Sequence, residues 1–239
     1  MKTAVYCATR NLYADLLPSV KSLSMHSDVE QIFLLIEDDS FPFPLPPWVR
    51  TVNVAQQPWI RKTSPNWDNG WTWMVMIRAC LTKLLPDCNR VLSIDCDTIC
   101  TRDVSEIFEL DLGGSSMAMT REPSRCAGGV YYQRRFGDVY YNAGVCLQDL
   151  KALREHGDDD RIIDMLNSVK LPANEQDAFN LVLRGKIRDL PNEFNSSGWT
   201  GYADRPRILH YAGVRDWQHL PPVETYRAKS WEEVLACRS

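Results

Sequence analysis

The most constraining feature of the sequence is an apolar run that ends in two carboxylates. Residues 90–94 read Arg-Val-Leu-Ser-Ile, and Asp95 and Asp97 follow with one cysteine between them. Side chains two residues apart on an extended backbone lie on the same side, so these carboxylates would repel each other unless a cation lies between them. Hard divalent cations prefer oxygen ligands, and open α/β sheets bind ligands at the carboxyl ends of their strands. The pattern predicts a Mn²⁺ or Mg²⁺ site, although many Asp-x-Asp sequences are surface turns without an ion.

The composition is that of an ordinary globular protein. The chain has 239 residues, 44% of them hydrophobic and 24% charged, and a formal net charge of −4. Because its basic residues are scattered singly, we expect no nucleic-acid partner. No apolar run reaches the roughly 18 residues of a transmembrane helix, and the first residues resemble a strand rather than a signal peptide. The eight cysteines, none in a Cys-x-x-Cys pair, favour free thiols in a reducing compartment. We therefore expect a cytoplasmic protein, with peripheral membrane contact left open.

Strand and helix patterns alternate along the chain, which predicts an α/β fold that opens with parallel strands. Pro18 predicts a kink or a late start in the first helix, and residues 122–139, which include Gly128, Gly129, Arg134 and Arg135, carry no regular pattern. Such a long connection inside a domain is usually a functional loop or a disordered one. The predicted strands are 3–9, 31–37, 49–54, 90–100, 116–121, 140–147, 186–191 and 207–213. The first predicted helix ends near residue 25, and the others span 71–85, 103–110, 151–168 and 174–184.

Residues 59–73, which we call the aromatic loop, hold four of the eight tryptophans. Amide and carboxylate side chains are interleaved with them. This mixture suits a sugar, because its C–H faces stack on rings while its hydroxyl groups need hydrogen bonds. A helix-entry loop that packs its own aromatic residues has the same composition. The tryptophans are Trp59, Trp67, Trp71 and Trp73, and the interleaved residues are Asn66, Asp68, Asn69 and Gly70.

Further along, an arginine lies in an apolar stripe. Met74, Arg78 and Leu81 recur at helical spacing, so they share one face of the predicted helix. A guanidinium there needs an anion, because an unpaired buried charge is costly. The sequence leaves two partners open, a structural carboxylate or a bound phosphate.

Three later motifs also carry polar groups where an ordinary core element would be apolar. The strand 140–147 contains Asn142 and Gly144, and the glycine suggests close approach by a ligand or another backbone. Residues 174–177 bring polar acceptors to a helix start, which is also a partial capping signature. His210 ends an apolar strand, as a metal ligand or as a hydrogen-bonded side chain would.

In this order, the motifs resemble the family 8 glycosyltransferases, retaining GT-A enzymes that include glycogenin and bacterial lipopolysaccharide α-galactosyl- and α-glucosyltransferases. The resemblance covers about residues 3–217. Arg78 stands thirteen residues before Val91, as the family's helix arginine does before its Asp-x-Asp strand. The other matching residues are Ala8, Thr9, Tyr13, Ala14 and 19–23 at the first strand and helix, Asp95 and Asp97, the 141–145 segment, Gln176 and Asp177, and the His210–Gly213 segment.

The resemblance implies a single GT-A domain over 1–239, with a Rossmann-like, mostly parallel central sheet and helices on both faces. Residues 1–110 would mainly bind nucleotide and metal, and residues 111–217 donor sugar and acceptor. The implied metal ligands are Asp95, Asp97 and His210; the implied catalytic residues are Asn142, Glu175, Gln176 and Asp177; the implied nucleotide contacts are Ala8, Thr9, Asn11, Tyr13, Arg78, Asp95, Cys96, Gly213 and Arg215.

The implied reaction transfers glucose or galactose from a UDP-sugar to a hydroxyl of an acceptor saccharide of a bacterial-type glycan, with retention and with Mn²⁺ or Mg²⁺. Three departures from the family pattern stand at the site. Arg10 and Asn11 replace two acidic residues that hold the base in many members, Glu175 replaces an aspartate, and Arg215 replaces a lysine in a motif one residue shorter.

These departures leave other functions open. One is a catalytically silent nucleotide-sugar-binding protein. Another is self-glycosylation in the manner of glycogenin, on Tyr131, Tyr132, Tyr140 or Tyr141. A third is a dehalogenase-like phosphohydrolase, because residues 94–98 echo the nucleophile strand of that family. That strand should open the domain, whereas here it lies near residue 95.

Overall fold

The computed structural model describes residues 1–123, 130–137 and 139–238. The main element is a seven-stranded sheet, and two short strands form a second sheet beside it. The strands are β1 (Thr3–Cys7), β2 (Gln31–Ile36), β3 (Val49–Asn53), β4 (Arg90–Ile94), β5 (Thr98–Cys100), β6 (Met117–Arg121), β7 (Tyr141–Asp149), β8 (Ile187–Asp189) and β9 (Ile208–His210).

The strand order in the main sheet is β3-β2-β1-β4-β7-β6-β8. Strands β1, β2, β3 and β4 pair in parallel, and so do β6 and β8, whereas β7 is antiparallel to both of its neighbours. The mostly parallel sheet predicted from the sequence is therefore confirmed. In the small sheet, β5 pairs antiparallel with β9, and Thr98 lies opposite His210.

The helices broadly follow the predicted positions, with five differences. The helix predicted over 151–168 is divided into two α-helices at Gly157, and the helix predicted over 103–110 is a 3₁₀ helix at Ser105–Glu109. The segment predicted as one helix over 71–85 is a 3₁₀ helix at Trp73–Cys80 followed by one short α-helix. Pro18 lies inside the first helix and does not delay its start. A helix occupies 130–136, where we predicted irregular chain; Gly128 and Gly129 lie outside the described residues. The α-helices are α1 (Tyr13–Met25), α2 (Leu81–Leu84), α3 (Val130–Phe136), α4 (Leu150–His156), α5 (Asp158–Ser168), α6 (Asn174–Val182), α7 (Pro221–Ala228) and α8 (Trp231–Ala236).

Two apolar cores lie on the two faces of the main sheet. Along β1, Val5 belongs to one core and Tyr6 to the other, because successive side chains of a strand point to opposite faces. The first core contains residues of α4, α5 and α6, and the second contains residues of α1. The expected helices on both faces are therefore confirmed.

The sheet brings the candidate site residues to one edge. In the register of the strands, Tyr6 of β1 lies opposite Ile94 of β4, and Ile94 lies opposite Val145 of β7. The carboxyl ends of β1 and β4 and the beginning of antiparallel β7 consequently share that edge. This is where open α/β sheets bind ligands.

The helices and the cysteines bear on two expectations about the chain's environment. Across the described ranges, no helix has both the length and the apolar character needed to cross a membrane. Seven cysteines are free, and six of them are buried or half-buried, while Cys237 is exposed. The expected free thiols are therefore found in the described part of the chain.

Candidate functional site

Two aspartates and a histidine come together at the carboxyl edge of β4. Their ligand atoms all lie within 4.8 Å of one another, and we call Asp95, Asp97 and His210 the Asp–His cluster. Nε2 of His210 is 3.6 Å from Oδ2 of Asp95 and 3.4 Å from Oδ1 of Asp97. The aspartates lie in the turn between β4 and β5. The prediction that they extend the strand is therefore wrong, because the chain bends sharply to begin β5.

Two neighbours fix the ring of His210. Its Nδ1 is 2.7 Å from Oδ1 of Asn195, which is completely buried. A carbonyl oxygen can only accept, so Nδ1 carries a proton, and in the neutral imidazole the lone pair is on Nε2. Gly144 packs against the ring so closely that a β-carbon there would lie 2.6 Å from Nδ1. The glycine that the sequence singled out thus makes room for this imidazole.

The charges in the cluster influence one another. Burial raises the pKa of Asp95 to about 6, against the lowering effect of Arg78. Burial alone would raise the pKa of Asp97 and lower the pKa of His210. The attraction between the Asp97 carboxylate and the protonated His210 outweighs the effect of burial, so the pKa of Asp97 is lowered and the pKa of His210 is raised. Two carboxylates and one imidazole, partly open to solvent, form a donor set that attracts a cation.

The buried arginine predicted from the apolar stripe has carboxylate partners. Arg78 donates to Oδ1 of Asp95 and to the carbonyl of Ala143, both at 2.7 Å, and forms an ion pair with Glu175. Burial alone would lower the pKa of Arg78, but Asp95 and Glu175 raise it. Of the two partners left open by the sequence, the structural carboxylate is observed. Arg78 thereby ties the Asp–His cluster to the start of α6.

A second group of side chains lies around the beginning of β7. Asn142 and Gln176 both donate to Oε2 of Glu122, at 2.9 and 3.1 Å. Oδ1 of Asn142 accepts from the amide of Gly144, and Oε1 of Gln176 accepts from the amide of Ala143, both at 2.9 Å. Glu122 is completely buried. The two amide side chains are thus fixed in orientation by backbone donors on one end and a carboxylate on the other.

Asp177 supports this group from behind. Its Oδ1 accepts from the hydroxyl of Tyr140 at 2.6 Å, and its Oδ2 accepts from the amide of Ala173 at 3.0 Å. The Tyr140 hydroxyl in turn accepts from Nε2 of Gln176 at 3.1 Å. Asp177 therefore fixes the first turn of α6, as the partial capping signature indicated, and it orients Gln176 through Tyr140.

Asn174, the first residue of α6, has an unusual backbone. Its φ angle is +41°, in the left-handed region that non-glycine residues rarely adopt. Its side-chain Oδ1 accepts from Nδ2 of Asn69 at 2.8 Å. The left-handed residue redirects the chain so that Glu175 reaches Arg78 on one side while Gln176 reaches Glu122 on the other.

The predicted nucleotide contacts after β1 are only partly available. Ala8 and Tyr13 are buried, and the Tyr13 hydroxyl donates to Asp38 and accepts from the amide of Glu37. Arg10 forms a bidentate ion pair with Asp38. The exposed residues of this segment thus present a paired arginine and carboxylate rather than two acidic groups.

Thr9, Asn11 and Cys96 complete the first set of predicted contacts. The Thr9 hydroxyl donates to Oδ1 of Asn11 at 2.7 Å. Cys96 is buried, and its thiol donates to the carbonyl of Cys7 at 3.2 Å.

The predicted contacts beyond β9 lie on a turn. Gly213 has φ +74°, and a β-carbon there would lie 3.3 Å from Nε1 of Trp199. That indole nitrogen donates to the carbonyl of Ala212 at 3.1 Å. Arg215 is exposed on the same turn.

The aromatic loop mainly makes contacts within the protein that stabilise the fold. Trp67 and Trp73 stack on each other, with centroids 5.0 Å apart and planes at 8°. Nδ2 of Asn66 donates to the carbonyls of Leu166 and Val169, and its Oδ1 accepts from the amide of Leu171. These contacts hold the connection between α5 and α6. Of the four tryptophans, only Trp71 is exposed, at 56%.

Sequence reasoning missed Glu122, Asn195 and Tyr140 as members of the site. Asn195 follows Phe194 at the end of a 3₁₀ turn, and Glu122 follows β6, so neither lies in a recognisable motif. The one available signal was position: each follows directly after a strand or a short turn.

Comparisons with known proteins agree with this geometry. The model of the family described as Glycosyl transferase family 8 matches residues 5–219. Glycosyltransferase GlyA from Streptococcus pneumoniae serotype 4 (strain ATCC BAA-334 / TIGR4) is 25% identical over 252 residues, covering 96% of this chain and 34% of that protein. Lipopolysaccharide 1,2-glucosyltransferase from Escherichia coli (strain K12) is 29% identical over 165 residues, covering 58% and 48%. The chain spans about a quarter to a half of the length of the curated relatives it matches.

Among solved structures, the galactosyltransferase LgtC in complex with donor and acceptor sugar analogs superposes with a TM-score of 0.72 at 19% identity. The match covers 98% of this chain and 99% of that one, and at this identity it shows a shared GT-A fold. The family model, by contrast, matches most of the chain. The chain therefore belongs to glycosyl transferase family 8.

Proposed function

We propose that this protein is a retaining, metal-dependent glycosyltransferase that moves glucose or galactose from a UDP-sugar to an acceptor hydroxyl. The observation that carries the proposal is the Asp–His cluster at the carboxyl edge of the sheet, within 4.8 Å. Membership of the family supports a glycosyl transfer reaction.

The residues present fit a divalent metal ion. Two carboxylates and a neutral imidazole nitrogen suit Mn²⁺, and the imidazole favours Mn²⁺ over Mg²⁺, which prefers oxygen ligands alone. When bound, such an ion offsets the negative charge that develops on a departing diphosphate. We assign Asp95, Asp97 and His210 as its protein ligands.

The surrounding residues would bind and orient the donor. Arg78 is buried and paired with Asp95 and Glu175; it fixes these two carboxylates in place and adds positive charge beside the diphosphate. Arg215 is exposed and free to reach a phosphate from the turn after β9. A donor diphosphate would thus meet cationic groups on two sides.

On the sugar side, we assign the amides of Asn142 and Gln176 and the carboxylate of Glu175 to the hexose and its oxocarbenium-like centre. Glu175 is 3% exposed, which keeps water away from its carboxylate. Asp177 acts through Tyr140 and the first turn of α6 to orient this group, as its hydrogen bonds indicate.

The nucleoside would lie against the segment that follows β1. We propose backbone and side-chain contacts from Ala8, Thr9, Asn11, Tyr13 and Cys96, with the Arg10–Asp38 pair beside the base. Residues 1–110 would then mainly bind nucleotide and metal, and residues 111–217 the donor sugar and the acceptor, with His210 and the 213–215 turn as the exceptions.

The relatives' names support a saccharide acceptor of a bacterial-type glycan, because one is a lipopolysaccharide glucosyltransferase. Self-glycosylation is disfavoured at two candidate tyrosines. Tyr140 and Tyr141 are buried, and their hydroxyls donate to Asp177 and Asp189. The side chain of Tyr131 lies outside the described residues.

The proposal is tested by measuring UDP release from purified protein with Mn²⁺. The donors are UDP-glucose, UDP-galactose, UDP-N-acetylglucosamine and UDP-glucuronate, each with and without EDTA. We expect EDTA-sensitive release from UDP-glucose or UDP-galactose, even as slow hydrolysis without acceptor. Tight UDP binding with no release from any donor would contradict a transferase and favour a silent nucleotide-sugar-binding protein.

A further inference from the structure

A continuous series of hydrogen bonds joins a buried carboxylate to the histidine of the Asp–His cluster. Glu122 accepts from Nδ2 of Asn142, Oδ1 of Asn142 accepts from Nδ2 of Asn195 at 2.9 Å, and Oδ1 of Asn195 faces Nδ1 of His210 at 2.7 Å. We call these four residues the Glu122–His210 network. All of them are at most 6% exposed, so water competes little for these bonds.

The direction of every bond in this network is determined. Oδ1 of Asn142 also accepts from the backbone amide of Gly144 at 2.9 Å, and a backbone N–H cannot reverse its role. The amino group of Asn142 must therefore point to Glu122, and its carbonyl must receive the amino group of Asn195. Asn195 is left with its carbonyl facing His210. The imidazole consequently carries its proton on Nδ1, and Nε2 is the nitrogen that faces Asp95 and Asp97.

Glu122 fits this arrangement because a carboxylate oxygen accepts from two amides at once. The same Oε2 receives the amino groups of Asn142 and Gln176. The carbonyl oxygen of a glutamine has two lone pairs and could accept the same two bonds, so Glu122→Gln would keep this geometry and remove only the negative charge.

We infer that Asn195 is a positioning residue that fixes the tautomer of His210, and that Asn142, held by the Gly144 amide, orients Asn195. Glu122 completes the network as the acceptor of the amino groups of Asn142 and Gln176. The inference rests on the metal assignment of the proposed function. A residue that hydrogen-bonds a metal-ligating histidine sets the nitrogen available to the metal, and changing it typically weakens metal binding about 10- to 100-fold.

The test compares Asn195→Ala with Asn66→Ala. Asn66 is a matched control, because it is also a completely buried asparagine and its side chain bonds only backbone groups of residues 166–171. The first readout is the tautomer of His210, from ¹⁵N shifts of histidine-labelled, metal-free protein at alkaline pH, with His210→Gln used to assign the signal. The second is Mn²⁺ affinity from electron paramagnetic resonance without any donor.

We expect Asn195→Ala to weaken Mn²⁺ binding by about tenfold or more and to convert the single Nδ1–H signal of His210 into a mixture. Asn66→Ala should change neither quantity. If Asn195→Ala leaves the tautomer unaltered and Mn²⁺ affinity within about twofold of wild type, well below the loss typical of such partners, the inference is overturned.

A second variant covers the case in which Asn195→Ala does not fold. Asn195→Leu also removes the acceptor of the Nδ1 proton but keeps a side chain of similar size, and we expect the same mixed tautomer and a loss of Mn²⁺ affinity of about tenfold or more. An unchanged His210 signal in this variant also overturns the inference. Wild-type protein that binds no Mn²⁺ would contradict the proposed metal site, whereas the tautomer comparison would still decide the role of Asn195.

Discussion

The Asp–His cluster and the aromatic loop both combine polar side chains at the edge of a core, yet their polar atoms are arranged differently. In the cluster, Asp95 and Asp97 keep side chains that are 31% and 25% exposed, and their oxygens converge with Nε2 of His210. In the loop, Asn66 is fully buried and all of its side-chain bonds go to backbone groups of residues 166–171, at the end of α5 and in the connection to α6.

This difference shows that polar composition does not distinguish a ligand-binding site from a segment that stabilises the fold. The direction in which the polar atoms point distinguishes the two. Oxygens that converge on one point and remain partly open are available to a ligand, whereas an amide that satisfies three backbone groups stabilises the fold. The four predictions that follow test this contrast, from the largest expected effect to the smallest.

The largest effect is expected for Asp97→Asn. The change removes a charged metal ligand while preserving shape, so we expect Mn²⁺-dependent UDP release to fall by about 100-fold or more, with little change in melting temperature. The measurement is donor hydrolysis at saturating UDP-sugar. Turnover within about threefold of wild type would show that Asp97 is not a ligand.

Gly144→Ala should damage the same cluster by a different route. A β-carbon would lie 2.6 Å from Nδ1 and 2.9 Å from Nε2 of His210, so the ring must move. We expect Mn²⁺ affinity to fall by about tenfold and stability by about 1–3 kcal/mol, measured by metal titration and urea unfolding. The control is Gly198→Ala, where a β-carbon meets nothing closer than the Tyr202 hydroxyl at 3.7 Å. Equal effects in both variants would contradict the packing argument.

In the aromatic loop, Asn66→Ala should affect stability rather than chemistry. Three buried backbone groups would lose their partner, so we expect the free energy of unfolding to fall by about 2–4 kcal/mol. Mn²⁺ affinity and donor hydrolysis per folded molecule should stay close to wild type. Asp68→Ala, at an exposed position of the same loop, should change stability by no more than about 0.5 kcal/mol. A large loss of activity in folded Asn66→Ala protein would break the comparison.

The smallest effect is expected for Trp71→Ala. Trp71 is the one tryptophan of the loop with an exposed ring, and it is where the loop could still contact an acceptor sugar. We expect a roughly threefold rise in the KM for acceptor, from loss of aromatic stacking, with unchanged donor hydrolysis. An unchanged KM for acceptor would show that the loop only stabilises the fold.

Most of the fold and the metal site could be predicted from the sequence because their patterns are local. Strand periodicity defines the sheet, and Asp95 and Asp97 are two residues apart in one segment. Family resemblance placed His210 with them, and the model brings the three together. The backbone at Asp95–Asp97 was predicted wrongly, because strand propensity does not reveal a turn that is imposed by the pairing of β5 with β9.

The Glu122–His210 network could not be predicted because its members are far apart in the chain. Glu122 and Asn195 are isolated polar residues, and their roles depend on which strands lie side by side. The prediction that the aromatic loop binds a sugar missed the loop's internal contacts for a related reason. The sequence shows which side chains are polar, but it does not show that residues 166–171 are their hydrogen-bond partners. Long-range packing decided both cases.

The central claim is that the Asp–His cluster binds a divalent metal ion and the aromatic loop does not contribute to that site. Its most direct test is a Mn²⁺ titration, followed by electron paramagnetic resonance, of wild type, Asp97→Asn and Asn66→Ala. We predict one bound Mn²⁺ per chain in wild type and in folded Asn66→Ala, and affinity weakened about tenfold or more in Asp97→Asn. Equal Mn²⁺ binding by wild type and Asp97→Asn would contradict the claim.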